Sequence, residues 1–384
     1  MQRYLILVAS VLMQMCLGAT YSWSVYVQPL KALTGLSQGP VQLPFTVFYF
    51  AFPFTMIFAG QWLPRLGPRR CAMTGGLLFG CGWWLAGWGG AHFAWTIAGI
   101  GLLAGVGVGM AYIVPIATCI RWFPEHKGLV TGVAVAGFGG GAALVSQVGA
   151  WWIKSRGATP FETFQLLGMA FALLVTAAGA CMQNPPGTRL AVTRPFSWRE
   201  ILARREFRIL YLAMGCGLAA GFAVNANLKE LFSGGSLQAG VRAVAAFAMA
   251  NAAGRILWGW GFDRLGGRIT VGANLIFQAA VLLLSPYILV SPAGLLIFAL
   301  LTGFNYGGVL VLYASSVAHR WGAAAVGQVY GLLFSANIPA ALAPLAAGLI
   351  FDAVASFRPA LWGIAALLVA AAWAYWRAPQ PPNN

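Results

Sequence analysis

The segment GQWLPRLGPRR (residues 60–70) recurs later in the chain as GWGFDRLGGRI (residues 259–269), and this repetition is the main evidence for the organisation of the chain. Five positions of the two segments are identical when they are aligned at an offset of 199 residues, which is 259 minus 60. Further matches at the same offset pair Arg121-Trp122 with Arg320-Trp321 and GLVTG (128–132) with GQVYG (327–331). A series of matches at one constant offset indicates an internal duplication of about half the chain.

The composition predicts that both copies are embedded in a membrane. Hydrophobic residues make up 60% of the 384 residues, charged residues only 8%, and the mean hydropathy is +0.78. A soluble domain has about a quarter of its residues charged, and an apolar helix of roughly 20 residues crosses the ~30 Å hydrocarbon core of a bilayer. The sequence predicts twelve such spans, at residues 4–28, 41–63, 70–90, 94–120, 128–153, 161–182, 208–230, 238–261, 269–290, 294–318, 326–350 and 359–377.

Twelve spans and one duplication predict an all-α membrane protein built from two six-helix repeats. The first bundle is expected at residues 1–182 and the second at residues 208–384, with a basic linker at residues 183–207 between them. Halves of this kind pack around a central cavity and rock, so that the cavity opens to each side of the membrane in turn. This organisation favours a transporter over a channel or a receptor.

The net charge of +16 predicts orientation rather than binding to nucleic acid. Most of the 23 Lys and Arg residues fall at span ends on one side, together with the long loop at 183–207. By the positive-inside rule, both termini are cytoplasmic and the protein is a multi-pass protein of the plasma membrane, the inner membrane in a bacterium. The six cysteines are scattered within or beside apolar spans, so no metal site and no cofactor is predicted.

Arg255 is the most informative single residue of the chain. It lies eight residues before Asp263 in the predicted eighth span, which is about 12 Å inside the membrane boundary at about 1.5 Å per residue. A charge at that depth costs at least about 2.5–3.5 kcal/mol, so it normally faces a partner or an aqueous cavity. All seven acidic residues fall at predicted span ends or in loops, and the sequence therefore predicts a substrate anion at Arg255.

Polar and aromatic residues of other spans are candidates for the same site. A guanidinium beside amide and phenol donors forms a carboxylate site. For any single Asn or Tyr, a hydrogen bond between helices is the alternative interpretation. Together with Arg255, the candidates for substrate binding are Asn251 (one turn before Arg255), Tyr306, Tyr112, Asn337 and Tyr26.

The two repeated loops, PRLGPRR and DRLGGR, resemble the cytoplasmic signature loop of the major facilitator superfamily. By this resemblance they form a conformational gate, in which cations at helix ends pair with the Asp. The predicted gate residues are Asp263, Arg264, Arg268, Arg65, Arg69 and Arg121. Pro64 occupies the position of Asp263 in the first copy, which predicts a weaker gate in that half.

Three further motifs resemble the oxalate:formate antiporter family, which is related to the animal monocarboxylate transporters. They are GATYSWSVYVQPL (18–30), RWFPEHKGLVTGVAVAGFGGGA (121–142) and NAAGR (251–255). The resemblance covers both halves and implies the twelve-helix major facilitator fold and transport of small carboxylates. It also implies that Arg255 and Asn251 form the ligand pair of the eighth span, with a Tyr from the fourth span (Tyr112) and one from the tenth (Tyr306).

One departure from the family pattern bears on the substrate. The oxalate carriers of this family have a Lys in the eleventh span for a second carboxylate, but residues 334–344 read FSANIPAALAP here. A dicarboxylate would therefore leave one charge unpaired in a low-dielectric site, at a cost of several kcal/mol. The sequence thus favours a small monocarboxylate such as lactate, pyruvate or formate. The alternatives are an oxalate/formate-type dicarboxylate exchanger and a proton-coupled drug exporter.

The coupling mechanism stays open at the level of sequence. The animal carriers place an Asp beside the Arg of the eighth span and a Lys in the first span, whereas Asn251 and Val25 stand near these positions here. Proton symport and exchange of two anions are both compatible with these residues. An intramembrane enzyme needs a nucleophile and a base paired at the membrane centre, and no acid or His is predicted there, so we predict a non-enzymatic, monomeric transporter.

Overall fold

A computed structural model describes residues 2–90, 92–186, 197–228, 230–231 and 237–378. Within these ranges the chain is helical and contains no strand. Among the described residues, ten helical segments are long and apolar enough to cross a membrane. They are α1 (Gln2–Ser22), α2 (Leu43–Trp88), α3 (Ala94–Trp122), α4 (Lys127–Arg156), α5 (Pro160–Ala180), α6 (Arg205–Asn227), α7 (Arg242–Leu283), α8 (Pro292–Trp321), α9 (Ala323–Val354) and α10 (Arg358–Trp376).

Two of these segments each contain two of the predicted spans. The 46 residues of α2 are interrupted at Gly67 (φ 79°, ψ 163°), and the helix of α7 is interrupted at Gly266 (φ 77°, ψ 161°). This backbone region is essentially restricted to glycine, so each glycine ends one membrane-spanning helix and allows the next to begin. Because α2 and α7 each contain two spans, the ten described segments account for the twelve predicted spans. The predicted all-α fold class is confirmed.

The first span differs from the prediction of one helix at 4–28. The α-helix covers Gln2–Leu17, a 3₁₀ turn follows at Gly18–Ser22, and a new helix runs over Ser24–Thr34. Gly18 packs so closely on the carbonyl of Phe138 that a Cβ would clash with it. The tighter turn therefore lies where the helix meets its neighbour. Shorter helices occur at Gln38–Val41, Trp198–Ala203 and Ser285–Ile288.

The contacts divide the chain into two compact units. Unit 1 contains Met1–Pro124, Val133–Pro195 and Ala323–Phe334, and unit 2 contains Glu125–Gly132, Phe196–Gly322 and Ser335–Asn384. The first residues of α4 thus belong to unit 2, and the first residues of α9 belong to unit 1. The predicted boundaries at 182 and 208 stay a prediction, and residues 187–196 of the predicted linker lie outside the described residues.

Aromatic side chains fill much of the interior of unit 1. Trp83 is fully buried and makes edge contacts with Phe164 and Phe171, at ring-centroid distances of 5.5 Å and 5.4 Å. Phe79, one turn before Trp83, packs on Phe171 at 5.2 Å. These aromatic contacts join α2 to α5.

Candidate functional site

Arg255 and Asn251 form a buried pair on α7. The Arg255 side chain is 7% exposed and that of Asn251 is 9% exposed. Nε of Arg255 donates a hydrogen bond of 2.9 Å to Oδ1 of Asn251. The two residues lie one turn apart on the same helix face, as the sequence predicts. This bond fixes the plane of the guanidinium, whose terminal nitrogens form the fork that recognises carboxylates.

The packing of α8 on α7 positions Tyr306 at the level of this pair. Gly307, the next residue, packs against the carbonyl of Asn251, and a Cβ there would lie 3.0 Å from the backbone nitrogen of Arg255. Gly254 packs equally closely against the carbonyl of Phe304. Small residues at both contacts allow the two backbones to approach each other. The backbone of Asn251 and Arg255 therefore lies against Gly307, the residue that follows Tyr306.

The Tyr306 ring itself packs among aromatic side chains of unit 2. Its centroid lies 5.9 Å from Phe247 on α7 and 5.9 Å from Phe222 on α6. The preceding residue, Asn305, has a different role: its Nδ2 donates to the carbonyl of Asn274 at 2.7 Å, and Asn274 donates back to the Asn305 carbonyl at 2.9 Å. Asn305 thus forms hydrogen bonds between helices, which was the alternative to substrate binding that the sequence analysis gave for any single Asn.

Asn337 lies in unit 2 on α9, at a break in the helix. A 3₁₀ turn covers Phe334–Ala336, and a single α-helical turn follows at Asn337–Ala340, with Pro339 inside it. Proline lacks the backbone N–H that a continuous α-helix needs, which accounts for the irregular segment. The side chain of Asn337 is buried.

Tyr112 and Tyr26 belong to unit 1, in separate surroundings. Tyr112 separates the helices Ala104–Ala111 and Ile113–Trp122, and its ring contacts Phe52, Phe138 and Phe334 at centroid distances of 5.2, 5.4 and 5.4 Å. Its carbonyl accepts a hydrogen bond of 3.3 Å from the Gln14 side chain. The sequence did not single out Phe334, which joins this aromatic cluster from the start of α9.

Tyr26 packs against Trp23, Trp83 and Phe164 in the aromatic interior of unit 1. The ring is fully buried there. These are contacts of helix packing, so Tyr26 has the weakest structural support among the six predicted substrate-binding residues.

Asp263, the acidic residue of the predicted gate, caps the N-terminus of α4. Its Oδ1 accepts a hydrogen bond from the backbone nitrogen of Gly128, and its Oδ2 accepts one from that of Leu129, both at 2.8 Å. A carboxylate at this position satisfies orphan N–H groups and complements the positive end of the helix dipole. The sequence predicted cations of the loop as its partners, but these hydrogen bonds go to main-chain N–H groups.

The cations of the predicted gate have other neighbours. The guanidinium of Arg264 stacks over Trp260 at 5.3 Å, and Arg268 donates to the carbonyl of Trp376 at 3.2 Å. Arg121 donates to Oδ1 of Asn184 at 2.6 Å and to the carbonyl of Ala324 at 3.4 Å, which fastens the start of α9 within unit 1. Arg65 and Arg69 are exposed.

Close glycine contacts repeat in the two copies with the offset of the sequence. In unit 2, Gly128 packs on the carbonyl of Gly259, and Gly132 packs on that of Arg255. In unit 1, the equivalent Gly327 and Gly60 are in contact, and Gly331 lies against the carbonyl of Met56. Met56 is the counterpart of Arg255 (255 minus 199), so at this position the second copy has a buried cation and the first copy has a buried methionine.

A duplicated set of membrane-spanning helices with a buried guanidinium is typical of a membrane transporter rather than of an enzyme. Residues 6–337 match the family model of the Major Facilitator Superfamily, and the chain belongs to this superfamily. The crystal structure of the transporter FucP in its outward conformation has the same fold, with a TM-score of 0.74, 16% identity and coverage of 97% of both chains.

Two relatives share most of their length with this chain. The oxalate:formate antiporter of Oxalobacter formigenes is 28% identical over 347 residues, which cover 88% of this chain and 82% of the relative. The apicoplast pyruvate carrier 1 of Toxoplasma gondii is 26% identical, with coverage of 86% and 80%. The resemblance drawn from the three sequence motifs is thereby confirmed.

Proposed function

We propose that this protein transports small monocarboxylates of the lactate, pyruvate and formate type by alternating access. The observation that carries the proposal is the buried Arg255, oriented by the 2.9 Å hydrogen bond to Asn251. Two relatives that cover most of the chain are named for oxalate and formate and for pyruvate, which are small organic anions. A single arginine at mid-span suits a ligand with a single carboxylate.

The chemistry of recognition follows from the properties of the guanidinium. A carboxylate binds it through two parallel N–H···O bonds, which select a planar anion. Burial strengthens this interaction because the local dielectric is far below that of water. Tyr306 lies along the same helix contact and Asn337 is buried in the same unit, and we propose both as hydrogen-bond donors to the substrate. Tyr112 and Tyr26, in the other unit, stay predictions.

The sequence of α9 supports one carboxylate over two. Residues 334–344 contain no Lys, and a second carboxylate would be buried without a matching cation. An oxalate/formate-type exchange is the second candidate function, and the similarity to the oxalate:formate antiporter favours it. Drug export finds less support, because the buried ionisable group at the site is a cation, which repels cationic drugs.

The mode of coupling, the orientation and the oligomeric state are also proposals. We propose a monomer in the plasma membrane, or the inner membrane of a bacterium, with both termini in the cytoplasm. Proton symport and anion exchange differ in one observable: an exchanger needs substrate on both sides of the membrane. Proteoliposomes with and without internal carboxylate therefore separate the two modes.

Ligand-dependent thermal stability tests the proposal most directly. A ligand that binds the folded protein raises its melting temperature by mass action. The purified protein is heated with lactate, pyruvate, formate, acetate, oxalate or a lipophilic cation, and the variants Arg255→Lys and Arg255→Ala are heated in parallel. Arg242→Lys, a conservative change at the exposed first residue of α7, is the matched control.

We expect a monocarboxylate to stabilise the wild type and the Arg242→Lys control. Arg255→Lys should lose at least roughly tenfold in affinity and most transport, because Lys keeps the charge but not the planar fork. Stabilisation by oxalate alone would refute the inference that a site with one cation selects a monocarboxylate. Stabilisation by the lipophilic cation alone would identify an exporter, and a fully active Arg255→Lys variant would remove Arg255 from the mechanism.

A further inference from the structure

A second polar site lies in unit 2, at the interruption of α7. A cavity of about 410 Å³ opens where α7 is interrupted at Gly266 and where α8 and α10 end. Its polar lining consists of Arg268, Ser316, His319, Arg320 and Tyr375, with the backbone of Gly267. Arg255 lies 11 residues before Gly266, about three helical turns, so this cavity is separate from the proposed substrate site.

Two arginines are held at the wall of this cavity by their own contacts. Arg268 donates to the carbonyl of Trp376 at 3.2 Å, and the Trp376 indole donates back to the carbonyl of Arg268 at 3.2 Å. The guanidinium of Arg320 stacks over the ring of Tyr375 at 5.5 Å, and the Tyr375 hydroxyl donates to the Gly267 carbonyl at 3.1 Å. Positioned guanidinium groups lose little freedom when they bind an anion.

Ser316 provides the observation that points to a ligand. Its side chain is only 2% exposed, and its hydroxyl has no hydrogen-bond partner among the described residues. Buried polar groups are normally satisfied, so an unsatisfied one needs an explanation. The Ser316 oxygen lies 3.6 Å from where a Cβ on Gly267 would stand. It therefore faces the start of the second half of α7, and the beginning of a helix favours an anion.

The first copy of the repeat shows that the fold does not require these polar groups. At the offset of 199, Arg268 and Arg320 correspond to Arg69 and Arg121, but Ser316 and His319 correspond to Ala117 and Ile120. Both counterparts are fully buried hydrophobic residues. The first copy thus has apolar side chains at these positions, whereas the second copy has a hydroxyl and an imidazole beside the two arginines.

We propose that this cavity binds a phosphate group. Two guanidinium forks, an imidazole and a hydroxyl donor converge from α7 and α8, which suits the several acceptor oxygens of a tetrahedral anion better than a planar carboxylate. Among the described residues that line the cavity, none is acidic. The phosphate oxygens would accept from Ser316 and so satisfy its buried hydroxyl.

A lipid headgroup and a free phosphate are two sources of this chemistry. Leu265 and Ile269 line the same cavity, and their side chains are 59% and 56% exposed. Apolar side chains at the mouth would contact acyl chains if the phosphate belongs to a lipid. Basic pockets at the cytoplasmic ends of membrane helices bind anionic headgroups in this way, and the loop at Gly266 lies on the predicted cytoplasmic side.

The test measures anion binding to the full-length protein, separately for each source. One arm titrates delipidated protein in detergent with inorganic phosphate, against sodium chloride at equal ionic strength. The other compares nanodiscs of phosphatidylcholine with nanodiscs that also contain phosphatidylglycerol. Melting temperature is one readout, and the number of lipids retained in native mass spectrometry is the second. The variants are Arg320→Gln and Ser316→Ala, and the control is Arg70→Gln, which removes an exposed cation of the equivalent loop in the first copy.

We expect Arg320→Gln to weaken binding at least about tenfold and Ser316→Ala to weaken it several-fold, because each removes a donor to a charged group. Arg70→Gln should bind like the wild type. Stabilisation by phosphatidylglycerol alone identifies a lipid site, and stabilisation by inorganic phosphate identifies a site for a free ligand. The proposal is overturned if neither ligand binds, or if Ser316→Ala and Arg70→Gln both bind like the wild type.

Discussion

Gly67 and Gly266 leave the helical conformation in the same way although 199 residues separate them. Their dihedral angles differ by only 2° in both φ and ψ (79° and 163° against 77° and 161°). Each lies in the loop that the sequence repeats, between two arginines in PRLGPRR and DRLGGR. The duplication is therefore visible in the backbone conformation as well as in the sequence. The two glycines end a membrane-spanning helix with the same backbone geometry.

Replacement of Gly266 by alanine tests this backbone requirement. No heavy atom lies within 4 Å of the added Cβ, so the cost comes from the backbone conformation alone. We expect a loss of about 1–3 kcal/mol in stability. Gly363→Ala is the matched control, because Gly363 is helical in α10 and its Cβ would also meet open space. Thermal unfolding in detergent should show a lower midpoint for Gly266→Ala only, and equal midpoints would contradict the assigned backbone strain.

The contact between α4 and α7 gives a second prediction. A Cβ on Gly128 would clash with the carbonyl of Gly259, and backbone atoms cannot move away as a flexible side chain can. We expect Gly128→Ala to cost about 1–3 kcal/mol. Gly139→Ala on the same helix is the control, since nothing lies within 4 Å of its Cβ. If both variants melt at the wild-type temperature, α4 does not pack on α7 through Gly128.

The sequence predicted the frame of this protein well because the frame depends on local patterns. The lengths of the apolar segments predicted the membrane spans, and the constant offset of 199 residues predicted the repeat. In the structure the Gly128–Gly259 contact and its equivalent, the Gly327–Gly60 contact, agree with that offset. The prediction of the first span was wrong in detail: the α-helix ends before Gly18, which lies against Phe138, a residue 120 positions further along the chain (138 minus 18). Such a contact has no signature in the local pattern.

The site was predictable only in part, for a similar reason. Arg255 and Asn251 are neighbours on one helix, so their pairing follows from helical spacing. The partners of Asp263 could not be read from the sequence, because they are backbone N–H groups at Gly128 and Leu129, which every residue except proline has. The sequence also missed Ser316, since a lone Ser in an apolar helix is unremarkable until its hydroxyl is seen to lack a partner.

The bond between Asp263 and α4 gives a third prediction. Asp263→Asn keeps one acceptor but removes the charge that two N–H groups share. We expect a loss of roughly 0.5–2 kcal/mol, as for other helix N-terminal caps. Asp352→Asn neutralises an exposed acid near the end of α9 and should leave the melting temperature unchanged. Equal losses in the two variants would indicate a general charge effect instead of a cap.

The fourth prediction concerns Asn251, whose amide oxygen orients Arg255. In Asn251→Asp, a carboxylate would stand at hydrogen-bond distance from Nε and neutralise the guanidinium from within the protein. The substrate would then compete with this internal anion, so we expect its affinity to fall at least about tenfold at neutral pH. Protonation of the new Asp removes the competitor, and the affinity of this variant should therefore rise as the pH falls.

Asn251→Ala distinguishes this competition from a loss of orientation. It removes the hydrogen bond to Nε but adds no charge, so we expect a weaker, several-fold loss of affinity that does not depend on pH in the same range. The measurement is the dissociation constant for lactate or pyruvate between pH 4.5 and 7.5, by thermal shift or calorimetry, for both variants and the wild type. An Asn251→Asp variant that binds like the wild type at every pH would show that the substrate does not bind at the guanidinium of Arg255. The assignment of the site would then fail while the fold and the family stand.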